Sequence, residues 1–482
     1  MPHTILCFSR NYLSRLLPEI GQRDPDAQYL HIVQTDREAA HISSVGGTVV
    51  LNLQALIRDT LKQKHASIWQ EPEDFRSLTS FSWSPIYADR YLPEYSPAVR
   101  RKIAGAIYFA LSDVFDRFKI NAFVSEPVAL FTTHVAFYLS KKHGVRLLMW
   151  ANTYFPGYLY FSNQIDISVP VRVGALTDAE IQAVNAVVAS YVTGVTEDKR
   201  GPANHHSFIS NKLSKLSYFK QRQGLEPLVV RPGLRSKAIQ IARLGRAALS
   251  RAFFPRFSDF MTAGAVSEHR FYLRALNTSR SHYDSMPSAY SGSHVVYPLQ
   301  YEPEATLLYF APDFVSQSQF VETILRSLPD NHILWVKEHP NQFGALGEQN
   351  WREMRRRYEN LRLIHGRESV RELIRKSALV VAISSSAGMD ALAIGRRVIV
   401  AGQVFYRYMT GALPVTSAAE IAAALNDPAN YGPVDNIDRN IAELEQFATK
   451  CYPGDPQPAH GLFLPENLDS IARAIRNEIG AD

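Results

Sequence analysis

A histidine-containing turn follows an apolar stretch in the C-terminal half of the chain. The run HILWV (332–336) leads into Lys337, Glu338, His339 and Pro340. Pro340 cannot donate a backbone hydrogen bond and disfavours helical angles at His339, so we expect the strand to end there. Lys337 and His339 can both donate hydrogen bonds to an anion. The pattern favours a phosphate site over the structural role that a lone histidine usually has.

Three serines follow another apolar run, ALVVAI (378–383). They are Ser384, Ser385 and Ser386, with Gly388 two positions further on. A serine at a helix start accepts hydrogen bonds from free backbone N–H groups, and one serine suffices for such a cap. The same N–H groups and the helix dipole favour a bound anion. Three serines beside Gly388, which leaves room for close approach, predict a phosphate site.

Polar residues also end the apolar run HVVYPLQ (294–300). Gln300, Glu302 and Glu304 can form hydrogen bonds with a base, ribose hydroxyls or a substrate amine. Solvated loop acids are the equally plausible alternative. Tyr406, after a later apolar run, is predicted to line the same edge.

In the N-terminal half, Glu126 follows the apolar run NAFVS and precedes Pro127. A carboxylate there can act as a general base or as a nucleophile. The alternative is a carboxylate that only favours the dipole of a helix beginning at Pro127.

Four further polar residues are predicted at the same edge. Arg10 and Asn11 follow the first predicted strand, and Asn152 and Tyr154 follow the run that ends in Met149 and Trp150.

Strands and helices alternate in both halves, which predicts an α/β fold with parallel sheets and helices on both faces. Buried strands are predicted at 4–9, 29–34, 48–53, 121–126 and 145–150, and again at 294–300, 331–340, 360–366, 378–384 and 396–402. Helices are predicted at 11–20, 53–63, 98–118, 127–142, 315–328, 346–358, 367–376 and 386–394. We therefore expect two doubly wound, Rossmann-like domains that face each other across a cleft, with ligands at the carboxyl ends of the strands.

The chain of 482 residues is long enough for two domains. The predicted organisation is an N-terminal Rossmann-like domain (1–200), a basic helical insertion or linker (201–288), a second Rossmann-like domain (289–435) and C-terminal helices that pack back on the first domain (436–482).

Composition indicates an ordinary globular protein, with 46% hydrophobic and 20% charged residues. The N-terminus does not resemble a signal peptide, and no apolar run approaches the length of a membrane span. The two cysteines, Cys7 and Cys451, fit a pair of reduced thiols. A cytoplasmic location is expected, or a peripheral one at the inner membrane.

Positive charge is concentrated in residues 209–256, which contain eleven lysines and arginines and one acid. This segment is therefore +10, so the rest of a chain whose total is +6 carries −4. A basic stretch with interleaved apolar residues can bind an anionic membrane or glycan, or can be a solvated helical face. No nucleic-acid-binding motif occurs, so a nucleic-acid partner is not expected.

The runs PLQYEPEAT, VKEHP and ISSSAGMDALAIGRRVIVAG, together with Tyr406, resemble bacterial capsular-polysaccharide biosynthesis glycosyltransferases over about residues 290–410. That group includes enzymes that transfer Kdo (3-deoxy-manno-octulosonic acid) from CMP-Kdo. The resemblance implies a GT-B fold and a CMP-sugar donor. It also implies that His339 and the serines 384–386 bind the CMP phosphate, and that Gln300 with Glu302 or Glu304 lies near the nucleotide.

Residues 289–435 would then form the nucleotide-sugar-binding domain, and residues 1–200 the acceptor-binding and catalytic domain. In such a transferase Glu126 would be the general base of an inverting reaction or the nucleophile of a retaining one. The predicted contacts to the acceptor or the donor sugar are Arg10, Asn11, Asn152 and Tyr154.

The implied function is the transfer of Kdo or a related nonulosonic acid to a growing capsule or lipopolysaccharide O-antigen, with a free or lipid-linked glycan as acceptor. Two alternatives stay open. Teichoic-acid polymerases share a Lys-x-His-Pro and a Ser-Ser-x-x-x-Asp, here Ser385, Ser386 and Asp390, so a CDP-polyol or UDP-sugar donor is possible. A non-catalytic sugar-nucleotide-binding or glycan-binding subunit is the other. No metal-binding motif occurs, so neither a metal nor another cofactor is expected.

Overall fold

The computed structural model describes residues 2–63, 67–155, 157–197, 282–302, 304–339, 349–366, 368–456 and 462–480, together with Leu346 and scattered positions between 238 and 249. Contacts divide the chain into two units. Unit 1 contains residues 1–177, 247–265 and 450–482. Unit 2 contains residues 178–246 and 266–449.

Unit 1 is built on a sheet with the strand order β14-β6-β5-β4-β1-β2-β3, and β7 pairs with β6. Strands β1 to β5 are parallel, whereas β6 runs antiparallel to β5, β7 and β14. The strands are β1 (His3–Phe8), β2 (Ala27–Val33), β3 (Thr48–Asn52), β4 (Ala122–Ser125), β5 (Arg146–Asn152), β6 (Tyr158–Ser162), β7 (Pro170–Val171) and β14 (Tyr452–Pro453).

The helices of unit 1 are α1 (Leu13–Gly21), α2 (Asp36–Ser44), α3 (Leu53–Lys62), α4 (Phe75–Thr79), α5 (Pro97–Arg117), α6 (Phe131–Lys142) and α15 (Pro465–Ile479). Helix α15 presents Leu468, Ile471 and Ile475 at helical spacing, and this apolar stripe is buried in one core with Ile5 and Leu16. The C-terminal helix is therefore part of the core of unit 1.

Unit 2 has a six-stranded, fully parallel sheet with the order β10-β9-β8-β11-β12-β13. The strands are β8 (His294–Pro298), β9 (Ile333–Lys337), β10 (Leu361–Ile364), β11 (Leu379–Ala382), β12 (Arg397–Val400) and β13 (Ala412–Pro414). In β8, Val295 and Tyr297 belong to one core cluster and Val296 to another. A parallel strand buried on both faces produces the continuous apolar run seen in the sequence.

The helices of unit 2 are α7 (Asp178–Thr196), α8 (Ala305–Leu308), α9 (Gln317–Ser327), α10 (Gln349–Arg357), α11 (Val370–Arg375), α12 (Ser386–Ala393), α13 (Ala418–Asn426) and α14 (Ile437–Ala448). Four 3-10 turns complete the described structure, at Leu92–Glu94 in unit 1 and at Pro312–Phe314, Phe405–Tyr408 and Pro428–Asn430 in unit 2.

Each sheet reverses its strand order at one point. In unit 1 the chain proceeds from β1 outward to β3, then returns to the other side of β1 with β4. In unit 2 it proceeds from β8 to β10, then returns beside β8 with β11. The loops that follow the two central strands diverge at such a switch point, which leaves a crevice where ligands bind. The candidate sites are therefore expected after β1 and β4, and after β8 and β11.

The predicted α/β class with two doubly wound parallel sheets is confirmed, and all ten predicted strands are present within two or three residues of their ends. The short strands β6, β7, β13 and β14 and the helices α2, α4, α8 and α13 were not predicted. Helix α6 begins at Phe131 rather than at Pro127, because residues 127–130 form bends and turns.

The domain boundaries at 200, 288 and 435 stay a prediction, because most of the intervening segment lies outside the described residues. Helix α7 belongs to unit 2, as does α14, whereas α15 belongs to unit 1. The basic segment 209–256 lies almost wholly outside the described residues, so its membrane or glycan contacts also stay a prediction.

Candidate functional site

The switch point of unit 1 carries a partly buried ion pair. Arg10 follows β1 and Glu126 follows the adjacent β4, and Arg10 Nη2 lies 3.1 Å from Glu126 Oε2. The Tyr12 hydroxyl donates to Glu126 Oε1 at 3.0 Å. The Glu126 side chain remains 27% exposed, against 11% for Arg10. The structure thus brings two of the predicted residues together around a carboxylate that is oriented by two donors and still reaches solvent.

Glu126 does not cap the helix that follows it in the chain. Helix α6 begins five residues later, and its first N–H, from Phe131, donates to the buried Asp89 Oδ2 at 2.6 Å. Asp89 also accepts hydrogen bonds from the N–H groups of Tyr91 and Leu92. The helix-dipole alternative for Glu126 is therefore wrong, since Asp89 occupies that position.

The charges of this cluster are coupled. Burial is the largest single influence on Arg10 and works to lower its pKa, but Glu126, Tyr91 and Tyr12 together outweigh it, and the pKa lies above its usual value. Burial and the Glu126 carboxylate raise the pKa of Tyr12 well above its usual range. Arg10 therefore stays cationic and Tyr12 stays a neutral donor, both of which hold the carboxylate in place.

Asn11 fixes the turn that carries Arg10. Its φ is +55°, a left-handed conformation that asparagine tolerates better than most residues. Its N–H donates to Glu38 Oε1 at 2.6 Å, and Glu38 Oε2 accepts from the N–H groups of Gln34 and Thr35. Glu38 and Tyr12 were not predicted. The signal for Glu38 was present as the Thr35-x-x-Glu38 capping box, which the structure forms.

Asn152 is the last residue of β5, next to β4 in the sheet, and Tyr154 follows it in the chain. Their roles as acceptor or donor-sugar contacts stay predictions.

The switch point of unit 2 joins three loops from neighbouring strands. The Leu299 N–H donates to the Lys337 carbonyl at 2.8 Å, which continues the β8–β9 pairing into the loops. The Tyr301 ring then meets the His339 ring edge to face, with centroids 5.8 Å apart. On the other side, Ser384 Oγ lies 3.5 Å from the Thr306 carbonyl. The predicted residues after β8, β9 and β11 thus lie at one edge of the sheet.

The serine triplet divides into three roles. Ser384 is buried, Ser385 is the N-cap of α12, and Ser386 is exposed. Ser385 Oγ accepts the Ala387 N–H at 3.2 Å, and the Ser385 carbonyl accepts the Gly388 N–H at 3.0 Å. Ser385 therefore performs the ordinary capping role, and the exposed Ser386 at the helix N-terminus is the residue of the three best placed to meet an anion.

The expectation that Gly388 leaves room for a phosphate is wrong. A Cβ atom on Gly388 would lie 2.7 Å from the Tyr406 hydroxyl and 2.8 Å from its ring, so Tyr406 already fills that space. Tyr406 is fully buried and donates to the Ser385 carbonyl at 2.6 Å. It supports the turn before α12 from beneath, instead of lining an open edge as predicted.

Lys337 and Glu338 are both buried beneath the His339 turn. Lys337 Nζ donates to the carbonyls of Gly366 at 2.8 Å and Glu338 at 3.1 Å, and the Tyr283 hydroxyl donates to the Glu338 carboxylate. These bonds tie the carboxyl end of β9 to that of β10. The predicted phosphate contact of Lys337 stays a prediction, as does that of His339.

The loop after β8 is fixed by a residue that was not predicted, Gln317. Its side chain holds the backbone of Gln300 and the carboxylate of Glu302, with Gln317 Nε2 2.8 Å from Glu302 Oε1. Glu304 accepts a hydrogen bond from the Thr306 hydroxyl at 3.0 Å, at the start of α8. Contacts of Gln300, Glu302 and Glu304 with a nucleotide stay predictions.

Asp390, matched above to the teichoic-acid polymerase motif, is an internal anchor. It is buried in α12, where its carboxylate accepts the Tyr191 hydroxyl at 2.6 Å and the Arg371 guanidinium at 3.2 Å. These contacts join α7 and α11 to α12, so the aspartate of that motif has a packing role here.

Within the described part of the chain, no group of three or more histidine, cysteine, aspartate or glutamate side chains is arranged to hold a metal ion. None of the described helices is both long and apolar enough to cross a membrane.

The fold and the sites define an α/β protein of two doubly wound units with polar residues at each switch point. Residues 237–419, which include the whole switch point of unit 2 after β8, β9 and β11, match the family described as capsule polysaccharide biosynthesis protein. The resemblance predicted from the motifs between 290 and 410 is thereby confirmed.

Solved structures that match this chain include two of KpsC from Thermosulfurimonas dismutans. The β-Kdo 2,4 transferase is 14% identical, with 72% of this chain and 87% of that chain covered and a TM-score of 0.30. The β-Kdo 2,7 transferase is 12% identical, with coverages of 70% and 89% and a TM-score of 0.31. A glycosyltransferase from Rickettsia africae ESF-5 is 8% identical, with 99% of both chains covered and a TM-score of 0.29. No curated protein matches the sequence.

Proposed function

We propose that this protein is a GT-B glycosyltransferase that transfers Kdo or a related nonulosonic acid from a CMP-activated donor to a growing capsule or O-antigen polysaccharide. One observation carries the proposal. The turn with His339, the loop with Gln300 and the start of α12 at Ser386 lie after three neighbouring strands at the switch point of unit 2. This switch point lies within the residues that match the capsule polysaccharide family.

The donor site supplies stabilisation for a departing nucleotide. A CMP-sugar leaves its phosphate with CMP, and negative charge grows on that phosphate as the glycosidic bond breaks. An imidazole at His339 and the N-terminus of α12 offer donors and a favourable dipole for this charge. These groups are held in advance by the buried Lys337, Glu338 and Tyr406. Fixed donors of this kind lose little energy to reorganisation during the reaction.

Glu126 is the proposed reactive carboxylate. Arg10 and Tyr12 bind its two oxygens from within the protein, so the carboxylate has one orientation while it stays partly exposed. It would accept the proton of the acceptor hydroxyl if the transfer inverts the anomeric centre, or attack that centre if the transfer retains it.

Ligand-dependent melting tests the donor class. CMP, CDP and UDP are each added to the protein at the same concentration, since a ligand that binds only the native state raises the melting temperature, and a tighter ligand raises it more. We expect the largest rise with CMP. A larger rise with CDP or UDP would instead support a CDP-polyol or UDP-sugar transferase.

Donor turnover tests the activity itself. We expect slow hydrolysis of CMP-Kdo without acceptor and transfer to at least one synthetic or lipid-linked acceptor. Binding of CMP without hydrolysis or transfer, with a panel of CMP-nonulosonic acids, would contradict the enzymatic proposal and favour a non-catalytic binding subunit.

A further inference from the structure

A buried glutamine organises the loop after β8. Gln317 is the first residue of α9 and is only 3% exposed. Burying a primary amide is unfavourable unless its donors and acceptor are all hydrogen-bonded. The side chain of Gln317 meets this condition completely, and its hydrogen-bond partners show which part of the loop it holds.

The Gln317 amide uses its full hydrogen-bonding capacity. Its Oε1 accepts the Gln300 N–H at 2.6 Å and the Tyr297 hydroxyl at 3.0 Å. Its Nε2 donates to the Gln300 carbonyl at 3.1 Å and to Glu302 Oε1 at 2.8 Å. A primary amide has two acceptor lone pairs and two N–H donors, and all four are used here. Gln317 therefore clamps Gln300 through both of its backbone groups.

Gln300 itself is left with an unused donor. It is 6% exposed, and its Nε2 atom has no hydrogen-bond partner among the described residues. A buried N–H group without a partner costs about 1–3 kcal/mol, and an acceptor atom from a ligand would recover that energy. Gln300 lies directly after β8, the central strand of the switch point, and the next residue, Tyr301, contacts His339.

We propose that Gln317 is a positioning residue that presents the side-chain amide of Gln300 to an acceptor oxygen of the bound nucleotide. The proposal rests on nucleotide binding by unit 2. It also assigns Glu302 to the support of this loop, because its carboxylate accepts from both the side chain and, at 3.4 Å, the backbone N–H of Gln317. The donor that the nucleotide meets after β8 is then Gln300.

Titration calorimetry with CMP tests the inference. Gln317→Glu keeps the size of the side chain and an acceptor oxygen, but it removes both N–H donors and adds a negative charge beside Glu302. Gln317→Leu removes all four hydrogen bonds. We expect the Kd for CMP to rise by about tenfold to a hundredfold in either variant, the range that corresponds to losing one well-placed hydrogen bond. If Gln317→Leu folds poorly, the test is carried out with Gln317→Glu alone.

Gln319→Leu is the matched control. Gln319 is the same residue type, two positions along the same helix, and exposed. The Kd of the Gln319→Leu variant for CMP should stay within about twofold of the wild-type value, because surface substitutions generally have small effects.

A double-mutant cycle separates positioning from a general structural effect. If Gln317 acts through Gln300, then Gln300→Leu alone weakens CMP binding, and adding Gln317→Glu weakens it little further. Full additivity of the two effects would overturn the inference, as would a Gln317→Glu variant with wild-type Kd. Absence of binding by the wild-type protein to CMP, CDP and UDP alike would overturn the proposed function and this inference with it.

Discussion

The two switch points occupy equivalent places in two similar sheets, yet they contain different chemistry. In unit 1, the residues after β1 and β4 form an ion pair between Arg10 and Glu126. In unit 2, the residues after β8, β9 and β11 supply an amide, an imidazole and a helix N-terminus. The fold fixes where polar groups converge, and the residue types at the strand ends decide what they do.

The difference assigns separate tasks to the two units. A carboxylate held by two donors is suited to proton transfer or nucleophilic attack, whereas hydrogen-bond donors and a helix dipole are suited to an anion. Substitutions in unit 1 should therefore change turnover, and substitutions in unit 2 should change binding of the nucleotide.

The largest effect is expected at Glu126. Glu126→Gln preserves the shape and one acceptor oxygen but removes the base or nucleophile, so kcat should fall by about 10²–10⁴-fold. The Kd for CMP should change by less than about twofold, because Glu126 is assigned to the reaction and not to the nucleotide. Steady-state kinetics and calorimetry measure the two quantities.

Glu466→Gln is the control, because Glu466 is an exposed acid on α15. It should retain wild-type kcat. A Glu126→Gln variant with normal turnover, or with strongly weakened CMP binding, would break the division of tasks between the units.

A second comparison concerns acid: burial lowers the pKa of His294 and His332 in unit 2, but the larger shifts lie in unit 1. In unit 1, burial lowers the pKa of His31 to about 4, and its Nδ1 lies 2.8 Å from Ser9 Oγ. The unfolded chain binds the proton more readily between the two pKa values, so stability is lost as pH falls from about 6.5 to 4, by up to about 3 kcal/mol. His134, also in unit 1, has a pKa lowered by burial to about 3 and adds to the loss.

Melting temperatures at pH 7.5, 6 and 5 measure this effect. His31→Asn keeps a hydrogen-bonding group near Ser9 but cannot be protonated, so the decline with falling pH should be shallower than in the wild type. Equal slopes for the two proteins would contradict the assignment of this sensitivity to His31.

Gly388 tests the packing beneath the site in unit 2. Gly388→Ala places a methyl group against Tyr406 and should lower the free energy of unfolding by about 1–3 kcal/mol, as overpacking does. Denaturant titration measures the loss. Gly292→Ala is the control, since nothing lies within 4 Å of its added Cβ and its φ is not positive. Equal stability of the two variants would show that Tyr406 does not fill this space tightly.

The smallest effect distinguishes two adjacent serines. Ser385→Ala removes the cap of α12 and should destabilise the protein by about 1 kcal/mol. Ser386→Ala should be within about 0.5 kcal/mol of the wild type, because Ser386 is exposed. Paired denaturant titrations compare the two variants. A larger loss of stability in Ser386→Ala than in Ser385→Ala would show that Ser385 is not the residue that caps α12.

Sequence patterns predicted the sheets well because buried parallel strands are continuous apolar runs, such as Leu379–Ala382. They also located the strand ends that carry Glu126, Gln300 and His339. The strands β6, β7, β13 and β14, which lie at or next to a sheet edge, were missed. All four are only two to five residues long, and pairing with a neighbour determines them more than composition does.

Contacts between side chains were harder to predict from the sequence. The clamp by Gln317 spans seventeen positions from Gln300, and the Arg10–Glu126 pair spans 116. Tyr406 and Gly388 were assigned to an open site because residue type does not reveal which neighbour fills a space. Such contacts depend on the folded arrangement of distant segments, whereas strand patterns are local.

Calorimetric titration of CMP into three proteins tests most directly whether the switch point of unit 2 binds the nucleotide. They are the wild type, His339→Ala, and His332→Ala, which alters a histidine at the opposite, amino end of β9. We predict that His339→Ala raises the Kd by about tenfold or more, as expected for a lost hydrogen bond to a charged group, and that His332→Ala leaves it within about twofold. Equal Kd values for all three proteins would contradict the placement of the phosphate beside His339.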